Sequence, residues 1–144
     1  MTPKWLTGLV RARQAQEDLA KQELATAQRL AHRAHARVRY DADRLDSLVQ
    51  AGAQSNAPAF VAAAVALQAA AATHAAAIRA ADDAVTSVDG KRDELGDAAR
   101  ARRTVEEMHD RHIALEHTQL LASAQREHDE VASRVHRSAA EDRG

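Results

Sequence analysis

The chain has no cysteine, two prolines, five glycines, and one each of tryptophan, tyrosine and phenylalanine in 144 residues. Without cysteine there is neither a disulfide framework nor thiolate chemistry. Trp5, Tyr40 and Phe60 are the whole aromatic complement, so a thick globular core lacks its usual source of buried area. So little glycine and proline argues for long uninterrupted helices and against a sheet. An excess of one charge is missing too: 20 basic residues balance 21 acidic ones. Nothing global therefore points to nucleic acid or to an anionic membrane. Residues 1–10 lack the long apolar core and small-residue cleavage site of a signal peptide, and the expected location is cytoplasmic.

What the chain does have is alanine, the best helix former and a poor source of buried area. It suits thin helix-on-helix seams. Between Ala51 and Ile78 there is no charged residue. That length suffices to span a bilayer. Alanine is near neutral for insertion, however, and Gln68, Thr73 and His74 interrupt the stretch, so it reads as an alanine-rich coiled-coil helix.

The one cluster of Gly, Ser, Asn and Pro is Ala51 to Pro58. Gly52 is expected to cap a first helix, Asn56 to cap a second, and Pro58 to sit in its first turn. Before the break, Ala20, Leu24, Ala27, Ala31, Ala34 and Val38 recur at alternating spacings of four and three. Leu45 and Leu48 resume the row once Asp41 is skipped. After the break, Phe60, Ala64, Leu67, Ala71, His74, Ile78, Ala81, Val85 and Val88 do the same. This period is that of a left-handed coiled-coil seam.

The expected fold is all-α: a long two-helix antiparallel coiled-coil hairpin with a C-terminal helical overhang. The first helix covers about 4–50, the turn about 51–57, the second helix about 58–138, and a disordered tail 139–144. The chain reads as a single coiled-coil domain. A turn centred on Gln54 and Ser55 sets Leu48 against the Phe60 level, Leu24 against Val85, Ala20 against Val88 and His74 against Ala34. The second helix then lacks a partner from Val105 to Arg137, roughly 50 Å at the α-helical rise. Apolar spacing persists there: Val105, Met108, His112 and Leu115 on one row, and Ile113, Leu120, Ala124, Val131 and Val135 on a neighbouring one. Glu107–Arg111 and Glu130–Arg134 add i,i+4 pairs.

Catalytic patterns are missing. There is no phosphate-cradling glycine loop and no Gly-x-Ser-x-Gly elbow. Carboxylate pairs such as Glu106/Glu107 lie on solvated faces, and a two-helix rod has no pocket to desolvate them. The chain is not expected to be an enzyme, nor to take a cofactor or a small-molecule substrate. His109, His112 and Glu116 share helical spacing but lack a closed ligand shell, so no metal site is assigned. The basic stripe Arg29, Arg33, Arg37 and the cluster Arg100, Arg102, Arg103 lack stacking aromatics. They favour acidic protein partners over nucleic acid.

The run from Leu9 to Leu24, with its Gln16-Glu17-Asp18 step, resembles the opening of FliJ-type flagellar export proteins. Arg102-Arg103-Thr104-Val105-Glu106-Glu107-Met108 is similar to the family's basic, Glu, apolar pattern. Gln125-Arg126-Glu127-His128-Asp129-Glu130-Val131-Ala132 is similar to its closing signature. The high alanine content and His109 depart from the family pattern. The resemblance implies a component of flagellar type III protein export, at the inner face of the cell membrane at the flagellar base. It implies a stalk or adaptor between a hexameric export ATPase and a membrane export-gate protein, with a part in handling export chaperones. The residues assigned to the ATPase ring are Val105, Met108, Ile113, Leu120, Asp129, Glu130 and Val131. Those assigned to the gate are Tyr40, Phe60, Val61 and Val65. A generic self-associating coiled-coil scaffold is the alternative. A secreted two-helix partner would need a Trp-x-Gly turn, which this chain lacks.

Overall fold

The computed structural model describes residues 3–53 and 56–141. The expected turn centre, Gln54 and Ser55, and tail residues 142–144 lie outside the described residues. The described residues form two helices, α1 (Lys4–Gly52) and α2 (Ala57–Glu141). Among the described residues 98% are helical and none is in a strand. The fold is all-α, as the glycine- and proline-poor composition requires. The helix continues through residues 139–141, where the sequence suggested a tail.

The ends of the helices have local causes. Asn56 caps α2: its side-chain Oδ1 accepts a hydrogen bond from the Ala59 amide at 3.1 Å, and its carbonyl accepts from Phe60 at 2.7 Å. Pro58 lies in that first turn, where a missing N–H costs nothing. Gly52 behaves differently from expectation. No described glycine has a positive φ, so Gly52 ends α1 without the left-handed cap that glycine usually supplies. A Cβ at Gly52 would meet the Ala63 Cβ at 3.6 Å, an ordinary contact.

The chain divides into two compact units: Gln16–Ala99, and Met1–Ala15 with Arg100–Gly144. In the first, α1 and α2 pack antiparallel. Ala27, Ala31 and Val88 form a buried cluster, with Leu24 and Ala84 packed on it. Along α1 the covered row runs Ala20, Leu24, Ala27, Ala31, Ala34, Val38, Asp41, Leu45 and Leu48. Along α2 it runs Ala63, Leu67, Ala70, His74, Ala77, Ala81, Ala84 and Val88. The alternation of four and three is as expected, but on α2 every second member is one residue earlier. Ala70, Ala77 and Ala84 replace the expected Ala71, Ile78 and Val85, and Ile78 and Val85 are each 41% exposed. Alanine on both sides lets the helices approach closely, and the larger β-branched residues stay outside.

Register differs as well. Gly52 lies at the level of Ala63, and Ala27 packs with Val88. Glu23 on α1 bonds Lys91 on α2 at 3.1 Å. All three fixed points shift the helices by about two turns from a symmetric turn-centred pairing. The first turns of α2 therefore precede the Gly52 level, and Phe60, expected in the seam, is 60% exposed.

In the second unit, Leu6 and Val105 are the buried apolar residues, at 3% and 6% exposure. Arg102 donates to both Glu106 oxygens at 2.6 Å. The covered row on α2 continues through His109, His112 and Glu116. Val105, expected on an uncovered stretch, is inside the packing of this unit. The uncovered part of α2 starts after Glu116. From Ala124 to Ala140 every residue is exposed.

Candidate functional site

Among the surfaces where the fold leaves apolar side chains in solvent, two carry the residues assigned from the sequence, one in each unit.

The first lies where α2 begins. Phe60, Val61 and Val65 are exposed, with Val61 and Val65 at 64% and 63%. Relative to the covered row Ala63, Leu67 and Ala70, Val61 and Val65 occupy the far side of the helix. They point away from α1 rather than bordering the seam. Phe60 instead lines an open apolar depression of about 210 Å³ with Leu48, Val49, Ala63, Ala64 and Leu67. Tyr40 on α1 is exposed, and the Arg37 guanidinium sits 5.3 Å above its ring. Tyr40 does not line that depression. α2 also holds a stretch long and apolar enough to cross a membrane by length and composition, of which 6% is buried within the chain.

The second surface is the end of α2. Beyond Glu116 the covered heptad row would continue through Gln119, Ser123, Arg126 and Glu130, all polar. Apolar residues leave that row and gather on another: Ile113, Leu120, Ala124, Val131 and Val135. The steps Ile113–Ala124–Val135 and Leu120–Val131 are eleven residues each, the repeat of a nearly straight helical stripe rather than of a left-handed seam. Leu120, Val131 and Val135 are all more than half exposed. Met108 and Ile113 are less so, at 46% and 44%. Asp129 accepts a hydrogen bond from Gln125 at 2.9 Å, and Glu130 pairs with Arg134, which leaves both carboxylates on the surface beside Val131. Of the residues the sequence assigned to this surface, only Val105 is buried. Leu121 and Val135, both exposed, belong with it and were not singled out as site residues.

The histidines do not converge. His112 Nε2 stands 3.4 Å from a Glu116 oxygen and His109 Nδ1 3.6 Å from Asp110. Among the described residues no three potential ligands cluster around one point.

An all-helical protein with alanine seams and exposed apolar helix faces is a coiled-coil interaction protein. The family model described as "Flagellar FliJ protein" matches residues 3–141. The chain belongs to the FliJ family, and so is a component of the flagellar protein export apparatus, in an export-associated, non-enzymatic family. The family points to the export machinery at the cell membrane and to interactions within it. No curated protein and no solved structure matches the chain.

Proposed function

We propose that this chain is a non-enzymatic stalk and adaptor of flagellar export, joining the hexameric export ATPase to the membrane export gate and taking part in export-chaperone handling. The uncovered end of α2 carries the reading. A helix of this length that packs on nothing in its own chain exposes a straight apolar stripe, and such a stripe gains stability only against a partner. We assign it, with Met108, Ile113, Leu120, Asp129, Glu130 and Val131, to the ATPase ring. Val105 supports that segment from inside the packing. The Phe60, Val61 and Val65 surface is assigned to the gate, and with it the exposed Tyr40, which lies on α1 outside that surface. The function places the protein at the inner face of the membrane, held there by protein partners.

Truncation after Thr118 tests the ATPase assignment, because the covered row ends at Glu116 and the unit keeps its packing. The truncated chain should remain helical and cease to co-purify with the ATPase hexamer. Full-affinity association of a folded truncation would refute the assignment.

A further inference from the structure

Asp41 is the most buried residue of the seam, at 2% exposure, in a row otherwise made of alanine, leucine and valine. Its Oδ2 accepts a hydrogen bond from Arg37 Nε at 2.9 Å. Its Oδ1 is buried with no hydrogen-bond partner. The other buried side-chain atom in this stretch without a partner is His74 Nδ1, on α2.

These two residues occupy the same level. Eleven residues back along α1 from Gly52 is Asp41, and eleven forward along α2 from Ala63, its neighbour, is His74. Fourteen further along each helix are Ala27 and Val88, which pack together. The Asp41–His74 level is thus bracketed by two direct contacts.

We infer that Asp41 and His74 are a donor–acceptor pair that selects the register of the α1–α2 seam. The alternative register lies one heptad away, about 10 Å along the axis, and is close to the one a symmetric turn would impose. In it Ala27 faces Ala81 and Ala31 faces Ala77. In the observed register Ala31 faces Ala84 and Ala34 faces Ala81. Alanine meets alanine in both, so apolar packing discriminates weakly between them. The ion pair of Lys91 discriminates no better, because a heptad shift offers it Glu17 in place of Glu23. Asp41 and His74 differ. In the shifted register Asp41 faces Leu67 and His74 faces Ala34, and two buried polar groups lose any common partner. In the observed register the two unpartnered groups share a level, so that rotation of the side chains lets the Nδ1–H tautomer of His74 donate to Asp41 Oδ1 across the seam. A single buried polar pair is an established means of setting coiled-coil register. This inference is independent of the partners assigned above.

The absence of native cysteine makes disulfide trapping in the full-length chain a direct readout of register. Ala34→Cys with Ala81→Cys reports the observed register. Ala27→Cys with Ala81→Cys reports the shifted one, since in the observed register those positions are too far apart to bridge. In the otherwise unchanged chain only the first pair should oxidise. With Asp41→Ala and His74→Ala added, the yield of the second pair should rise by roughly tenfold or more, the factor expected when a buried polar mismatch is removed. His74→Gln keeps a donor and should restore the single register, which His74→Ala should not. Unchanged, exclusive trapping of the first pair in the helical double variant would overturn the inference. If the double variant loses its helicity, the single variants decide: identical trapping for His74→Gln and His74→Ala would overturn it equally.

Discussion

Lys91 on α2 places its Nζ 3.1 Å from Glu23 on α1 and 2.9 Å from Glu94 on its own helix. The Glu94 bond, and then the Glu23 bond, raise the lysine's pKa above its ordinary 10.5. Because the folded value is the higher one, the contribution to stability is fully present below pH 10.5 and is lost as pH climbs through the raised value. Lys91→Met should therefore lower the melting temperature slightly at neutral pH. The difference from the parent should close in alkaline solution above the lysine range. A gap that persisted there would mean that Lys91 acts through its apolar stem. High salt should shrink the neutral-pH difference, since both partners are partly exposed.

Gly90 interrupts α2 with nothing within 4 Å of where a Cβ would stand, and Gly8 does the same in α1. Both are helical without a positive φ. Gly90→Ala and Gly8→Ala should each stabilise the chain by about 0.5–1 kcal/mol, measured by urea unfolding. Loss of stability in either would show that the glycine serves a close approach from a partner.

The seam predicts an inversion of the usual size rule. Val85 is 41% exposed and Ala81 is 3% exposed. Val85→Ala should cost under about 1 kcal/mol. Ala81→Leu should cost about 1–3 kcal/mol, because a larger side chain forces the helices apart. Thermal melts that ranked the two the other way would return Val85 to the seam.

Those alanines also mark how far the sequence could be read. Period, helix count and the Asn56 cap are local properties, and they are legible because spacing and hydrogen-bonding chemistry determine them. Leu67, His74, Ala81 and Val88 were placed correctly on the seam because they belong to both candidate rows. Ile78 and Val85 were drawn into it by size, a sound rule for cores that bury area and a misleading one where close approach decides. Asp41 was skipped as a charge, although Arg37 one turn away shields one of its oxygens. Register was not legible, since a seam of alanine carries little information about which alanine faces which. The uncovered part of α2 starts after Glu116, about three turns later than the expected Val105. The surface at Val61 and Val65 was found from the charge-free run, but its direction awaited the correct row.

That direction makes the gate assignment testable without damage to the fold. Val61 and Val65 are on the side of α2 away from α1, each nearly two-thirds exposed. Aspartate at either position stays in water and leaves the Ala63, Leu67 and Ala70 packing untouched. Val61→Asp with Val65→Asp should therefore change unfolding stability by no more than about 0.5 kcal/mol. The same pair of charges would be desolvated by any apolar partner seated on this face, a cost of several kcal/mol unless they are paired. Binding to the export-gate protein should fall at least about tenfold, and motility should fail while ATPase association persists. Val61→Ala with Val65→Ala, which removes area without adding charge, should give an intermediate loss. A folded double-aspartate variant that bound the gate normally and supported swimming would remove this face from the interaction. The open depression lined by Phe60 and Leu67 would then be the next candidate to test on this unit.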